Sequence, residues 1–303
     1  MEEIERETIF AKVDQIMTSD NIFNLLVTLS DKTKFNLKLN PDIKEGISNN
    51  CIYEFDIAKY TNSEKACGYV TSFRSVNDIE DINKRNEIFR TFMSSSPIDY
   101  KELKNDIEAY ILKIENPILK NITANIINKY SNDFYLYPAA SKLHHAYVGG
   151  LAYHTLGMLN LVDGIVANYP YISKDYMYAG IILHDIGKVI EFTGIENTEY
   201  AVEGQLLGHL LIGCSEVREM ANKLGFGNKE EVLVLEHMIA SHHGQPMYGA
   251  IKRPAVAEAA LLWFIDSIDS KFRVLGEELE KTKIGSFTEP IGVMDRTKFY
   301  KHK

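Results

Sequence analysis

The spacing of apolar residues changes once along this chain, and that change constrains the fold more than any other feature. From about residue 7 to residue 75 apolar and polar residues alternate, for example at Phe23, Leu25, Val27 and Leu29. A period of two, interrupted by turns rich in Asn, Asp and Pro, is typical of antiparallel strands. From Pro97 onward the apolar residues recur every three or four positions, as in amphipathic helices. We therefore predict two domains of different structural class.

The predicted fold is a small all-β barrel followed by an all-α bundle. Residues 1–76 contain about five strand-like runs, which fit an OB-like barrel and also an SH3-like barrel. Residues 77–96 are the predicted linker, and residues 97–303 are the predicted helical domain with its C-terminal tail. We expect the first helix to be capped by Ser96. Further helices are predicted at about 149–167, 173–189, 203–224, 228–241 and 254–273.

The charge and the cysteines of the chain narrow the classes of function. A net charge of −9 argues against holding long nucleic acid by bulk electrostatics, although a metal site would supply local positive charge for phosphate. Cys51, Cys67 and Cys214 form no CxxC pair, which favours a reducing compartment. The N-terminus is acidic, and no apolar run reaches the roughly 18 residues that span a membrane. The sequence thus predicts a soluble cytoplasmic protein.

The pair His184-Asp185 is the strongest chemical signal in the helical half. It follows the apolar stretch Tyr178–Leu183, which predicts a largely buried helix. Burying an imidazole beside a carboxylate is costly unless both have a partner, and a divalent metal accepts both. The second oxygen of Asp185 could then bridge to another ion. Lys188, three positions later, could offset charge on a phosphate oxygen, or it could be a surface lysine at a helix end.

Other histidines and aspartates in the helical half could complete a site with two metal ions. His154 and Asp266 would join His184 and Asp185 at a first ion, with Asp269 as the rival of Asp266 one turn later. His209 and His242 could hold a second ion, or they could be core histidines. His243 and His237 are weaker candidates for ligands or for groups that support ligands. Phosphate-loop, dinucleotide-binding and serine-hydrolase motifs are missing from the sequence.

The order His154, His184-Asp185, His209, His242, Asp266 resembles the HD superfamily of metal-dependent phosphohydrolases. The stretches around these residues are more closely similar to YhaM-type 3'-5' exoribonucleases, which join an OB-type domain to an HD domain. That resemblance implies hydrolysis of phosphodiester bonds in single-stranded RNA or DNA by a metal-activated water. It also implies two divalent ions, manganese first, with Fe, Co or Mg as alternatives.

The barrel departs from the pattern of that family, because its strand at Lys34–Leu39 is short and has no nearby tryptophan. The residues that bind nucleic acid therefore stay unknown. Phe23, Phe35 and Tyr60 could stack on bases. For Phe23 and Phe35 we expect a position in the barrel core instead.

Three alternatives to an exonuclease stay open from the sequence. The chain could be an HD-type nucleotidase or cyclic-nucleotide phosphodiesterase that acts on small phosphate compounds. It could be a di-iron oxygenase, since some HD proteins with the same ligand pattern carry out redox chemistry. It could also be a nucleic-acid-binding regulator that keeps a metal for stability. The sequence does not define the oligomeric state.

Overall fold

The structure is a computed structural model of the chain, and it describes residues 4–19, 22–39, 46–60, 67–140 and 147–303. The chain divides into two compact units. One comprises Met1–Ser95 and Gly194–Asn197, and the other comprises Ser96–Thr193 and Thr198–Lys303. The side chain of Tyr60, a predicted candidate for base stacking, lies outside the described residues.

The first unit contains a closed barrel of five strands, which confirms the predicted all-β domain. The strands are β1 (Ile4–Ser19), β2 (Ile22–Leu29), β3 (Lys34–Leu39), β4 (Ile52–Tyr60) and β5 (Cys67–Ser75). Their order around the barrel is β1-β2-β3-β5-β4, with β1 also pairing with β4. Strands β3 and β5 run parallel, and the other pairs run antiparallel. This is the five-stranded Greek-key arrangement of an OB-like barrel.

Alternating apolar residues fill the interior of the barrel, as the period of two predicts. Leu25, Val27 and Leu37 are fully buried there. Phe23 and Phe35 are partly buried and pack against this core, as expected. Their rings therefore contribute to the stability of the barrel.

The segment predicted as a linker contains regular structure. Helix α1 (Ile82–Phe92) lies within residues 77–96, and Asp81 caps it by accepting hydrogen bonds from the backbone amides of Asn83 and Lys84. Ile88 and Phe89 are buried. An aspartate cap followed by a short apolar face is sufficient to define a helix, and both signals are present in the sequence.

The second unit is helical, as predicted. Its helices are α2 (Tyr100–Lys113), α3 (Pro117–Lys129), α4 (Ser131–Phe134), α5 (Gly150–Val166), α6 (Lys174–Leu183), α7 (Lys188–Glu191), α8 (Val202–Lys223), α9 (Glu230–Ser241) and α10 (Ala257–Lys281). Asp99, rather than Ser96, caps α2 by accepting from the amide of Glu102. Among the described residues, none of these helices combines the length and apolar composition required to cross a membrane.

The continuous helix predicted at 173–189 is interrupted in the structure. Helix α6 ends at Leu183, the chain turns through residues 184–187, and α7 begins at Lys188. The apolar pattern continues through this turn, because Ile186 within the turn and Val189 after it are both buried. As a result, His184 and Asp185 lie at a helix end and can face the same volume.

Candidate metal centre

His184 and Asp185 lie directly after the last residue of α6, in the interior of the helical unit. His184 is fully buried, and its Nδ1 donates to the carbonyl oxygen of Ile181 at 2.7 Å. Its Nε2 lies 3.2 Å from Oδ2 of Asp185. Burial opposes ionisation of Asp185, yet the Lys188 ammonium and the imidazoles of His184 and His242 hold its pKa well below the usual value. Asp185 is therefore an ionised carboxylate in a buried position.

His242 repeats this arrangement at the end of α9. It follows the last residue of that helix, is 1% exposed, and donates from Nδ1 to the carbonyl of Ile239 at 2.9 Å. A histidine at a helix C-terminus can satisfy a carbonyl that lacks an intrahelical partner. Burial lowers the pKa of His242, which keeps its ring neutral at neutral pH. Its Nε2, 3.6 Å from Oδ1 of Asp185, is then an acceptor.

His154 lies on α5 between two aspartates of α10. Its Nδ1 is 2.8 Å from Oδ2 of Asp269, and its Nε2 is 3.3 Å from Oδ1 of Asp266. Burial opposes protonation of His154, but the hydrogen bonds to both carboxylates outweigh it and raise the pKa to about 9. Burial would raise the pKa of Asp266, and His154 instead lowers it to about 2. A divalent cation could replace the proton between His154 and Asp266.

A glycine positions His209 inside α8. Gly208 has φ 70° and ψ 156°, so the helix kinks immediately before His209. The backbone amide of His209 donates to Oε1 of Glu191 at 3.0 Å, and its Nδ1 lies 3.0 Å from Oε2. Its Nε2 then faces Asp185 Oδ1 at 3.5 Å and His243 Nε2 at 3.3 Å.

The four principal histidines share one pattern of hydrogen bonds. In each ring Nδ1 contacts an oxygen, and Nε2 faces a carboxylate of the cluster. An Nδ1–H bonded to oxygen fixes the tautomer that presents the Nε2 lone pair, which is the usual support of a metal-binding histidine. The rings that show the pattern are His154, His184, His209 and His242.

The donor atoms form two groups, and Asp185 belongs to the first group while also facing the second. His154, His184 and Asp185 offer ligand atoms within 4.8 Å of one another, as do His209, His242 and His243. Oδ2 of Asp185 faces His184, whereas Oδ1 faces His209 and His242. Among the described residues, His184 Nε2 and Asp185 Oδ1 are buried and have no hydrogen-bond partner. An imidazole nitrogen and a carboxylate oxygen, both buried, fit a divalent cation.

The remaining predicted residues take different places. His243 joins the second group, and burial lowers its pKa to about 4, so its ring is neutral. His237 lies in neither group, because its Nε2 accepts a hydrogen bond from the backbone amide of Ala255. Lys188 donates from Nζ to Oδ2 of Asp185 at 2.6 Å, and its side chain is largely buried. A surface position for Lys188 is therefore wrong.

Two supporting groups were missed in the sequence. Glu191 is 5% exposed, and its carboxylate holds His209 by contacting both the backbone amide and the ring of that residue. Arg273 donates from Nε to Asp269 Oδ1 at 3.3 Å and from Nη1 to the hydroxyl of Tyr153 at 2.5 Å. The sequence signal for Glu191 is an acidic residue between the apolar residues Ile190 and Phe192. Arg273 follows Asp269 by four positions, a spacing that pairs opposite charges on a helix.

Known proteins are similar in sequence to the segment that contains this cluster and to most of the chain. Residues 151–271 match the family model described as the HD domain. The 3'-5' exoribonuclease YhaM of Bacillus licheniformis is 40% identical over 243 residues, which cover 78% of this chain and 77% of that protein.

The chain belongs to the YhaM family. The YhaM 3'-5' exoribonuclease of Geobacillus sp. (strain WCH70) is 42% identical over 210 residues, which cover 69% of this chain and 64% of that protein. These matches confirm the family resemblance predicted from the histidine and aspartate spacing. In this YhaM-family chain the HD segment runs from α5 to the middle of α10 and includes each residue of the two groups.

Asp266 and Asp269 are expected to respond differently to substitution. Asp266→Asn removes a carboxylate that faces His154 Nε2, so we expect loss of one bound ion. Asp269→Asn leaves the cluster's donor atoms in place and weakens the support of His154 Nδ1 together with the ion pair to Arg273. We expect the metal affinity of the Asp269→Asn variant to fall by about 10- to 100-fold. Titration of the metal-free protein with Mn²⁺ measures both effects, and equal losses in the two variants would contradict this division of roles.

Proposed function

We propose that this chain is a metal-dependent 3'-5' exoribonuclease that hydrolyses phosphodiester bonds of single-stranded RNA. The observation that carries the proposal is the set of four histidines whose Nε2 atoms converge on Asp185 and Asp266. The named activity of its YhaM relatives supports the choice of RNA and of the 3' end. Single-stranded DNA is a second substrate under the same proposal.

The proposal assigns two divalent ions to the centre. His154, His184, Asp185 and Asp266 would hold the first ion, and His209 and His242 would hold the second, with Asp185 bridging both. His243 extends the second set, because its Nε2 lies 3.3 Å from that of His209. Manganese is the proposed ion. Imidazole and carboxylate ligands also suit iron, cobalt and, less well, magnesium.

Such ions, when bound, would lower the pKa of a coordinated water and offset negative charge on the scissile phosphate. The residues of the chain have separate tasks. Asp185 would stay ionised throughout, because Lys188 and the surrounding imidazoles hold its pKa low. The Lys188 ammonium, 2.6 Å from Asp185 Oδ2, would turn toward a non-bridging phosphate oxygen as substrate enters. Glu191 and Asp269 would keep the rings of His209 and His154 in place.

The test is a time course with single-stranded RNA labelled at its 5' end. The proposal expects a ladder of shortening products with Mn²⁺ and intact RNA with EDTA. A label at the 3' end should be released as a mononucleotide from the first time point. RNA that stays intact with each of Mn²⁺, Fe²⁺, Co²⁺ and Mg²⁺ would sink the proposal.

The same assay separates the alternative activities. Turnover of mononucleotides or cyclic nucleotides, with no effect of oligonucleotide length, would indicate an enzyme for small phosphate compounds. Oxygen consumption by an iron-loaded protein would indicate redox chemistry instead. Parallel reactions with single-stranded DNA of the same sequence measure the preference for RNA.

A further inference from the structure

The chain's single tryptophan lies beside the metal centre. Trp263 precedes Asp266 by three residues on α10, so the two residues lie on neighbouring turns of one helix face. Gly244 follows His242 and His243 directly, with φ 75°. A Cβ atom at residue 244 would lie 2.1–2.4 Å from three indole atoms of Trp263. The indole therefore lies flat against the backbone one residue beyond His243, in a space that only glycine leaves open.

Phe264 extends this aromatic surface toward solvent. Its ring stacks on that of Trp263, with centroids 4.8 Å apart and an interplanar angle of 23°. The Phe264 side chain is 53% exposed, whereas Trp263 is partly buried. A large aromatic ring held in one orientation by a stacked neighbour is a preformed apolar platform. Through the indole, this platform connects to the residues that would hold the second ion.

We propose that Trp263 and Phe264 form a stacking platform for a nucleobase at the 3' end of the RNA substrate. This inference rests on the proposed function, because hydrolysis at the metal centre would place the base of the 3'-terminal nucleotide beside that centre. Every base has a π face, so stacking provides affinity with little dependence on sequence. The chain has a net charge of −9, which leaves little bulk electrostatic attraction for RNA.

An interface between two copies of the chain is the competing use of this face. Phe264, Ile268 and Phe272 are all exposed and follow one another at intervals of four residues along α10. Among the described ring contacts, only Phe264 of these three residues stacks on Trp263. The indole of Trp263 in turn lies against Gly244. Because Phe264 is connected to the metal centre through the indole, we favour a nucleobase over a second copy as its partner. Phe272, two turns away on the same helix, is the matched control.

The single tryptophan makes binding directly observable. Trp263 fluorescence would be recorded while a ten-nucleotide oligoadenylate RNA is added, first in EDTA and then with Mn²⁺ and phosphorothioate linkages at the 3' end. We expect quenching on binding. Phe264→Ala should raise the dissociation constant on the order of 10-fold. The KM for RNA should rise similarly, with kcat within about threefold, because Phe264 belongs to neither group of donor atoms. Phe264→Tyr and Phe272→Ala should both behave as the unchanged chain.

The outcomes separate the two proposals. Fluorescence that does not respond to RNA under either condition, or equal affinity in Phe264→Ala and Phe272→Ala, would overturn the stacking platform while leaving an observed product ladder intact. Quenching without any ladder would instead remove only the nuclease. A change in sedimentation coefficient of Phe264→Ala, with RNA affinity unchanged, would assign the face to contact between copies and overturn the inference.

Discussion

Replacing Asp185 by asparagine is expected to lower kcat for RNA by at least about 10³-fold. Asp185 is the carboxylate that faces both groups of donor atoms: Oδ2 lies 3.2 Å from His184, and Oδ1 lies 3.5 Å from His209 and 3.6 Å from His242. Asparagine keeps the shape of the side chain but removes its negative charge and one oxygen acceptor. A carboxylate that held two cations would need both the negative charge and the second oxygen.

The measurement pairs initial rates with metal content. Elemental analysis of the dialysed protein should show that Asp185→Asn holds fewer ions per chain than the unchanged protein. The matched control is Asp163→Asn, because Asp163 accepts from Lys174 and Tyr178 and belongs to neither group of ligands. The control should keep both activity and metal. Full metal content and a rate within tenfold in Asp185→Asn would show that Asp185 bridges nothing.

The sequence indicates which side chains lie near Asp185 better than it indicates what holds those side chains in place. Each residue of the cluster lies in or directly after an apolar helix whose pattern is visible in the chain. These residues are His154, His184, Asp185, His209 and His242. His184 and His242 find their acceptors three residues earlier in the chain. The acceptors of His209 and His154 instead depend on packing between segments far apart in sequence. Glu191 meets His209 across 18 positions, and Asp269 meets His154 across 115. The spacing of neighbouring residues in the sequence contains no information on contacts between residues so far apart along the chain.

The two aspartates of α10 illustrate this limit. Asp266 and Asp269 are one turn apart on one face, so a sequence pattern treats them as rivals for one role. In the structure His154 lies between them and uses one ring nitrogen for each. Both carboxylates therefore contribute, the first toward the donor cluster and the second toward the orientation of the ring. Helix α1 was missed for a simpler reason: the Asp81 cap was present in the sequence and went unused.

Close backbone contacts between α7 and α8 determine where His209 points. A Cβ atom at residue 187 would lie 2.1 Å from the carbonyl oxygen of His209, and one at residue 204 would lie 2.3 Å from that of Glu191. The two glycines thus allow each segment to lie against the backbone of the other. This contact brings Glu191 within hydrogen-bond distance of His209. Loss of this contact between α7 and α8 would move the His209 imidazole, which belongs to the second group of donor atoms.

Gly187→Ala is therefore expected to impair both stability and catalysis. Gly187 has φ −59° and ψ −20°, which alanine adopts readily, so the whole effect comes from the contact with His209. Overpacking of this kind costs about 1–3 kcal/mol of unfolding free energy, which lowers Tm by roughly 2–10 °C. A displacement of about 1 Å at His209 should lower kcat by about 100-fold. Thermal unfolding and initial rates on RNA measure the two losses.

Gly276→Ala is the matched control for this substitution. Gly276 lies within α10, and a Cβ atom there would meet nothing within 4 Å. Alanine in an open helix position stabilises by about 0.5–1 kcal/mol, so this variant should melt slightly higher and keep its full rate. If Gly187→Ala keeps its rate while its Tm falls, α7 and α8 stabilise the unit without positioning His209. A loss of rate with unchanged Tm would place the strain in the metal centre alone.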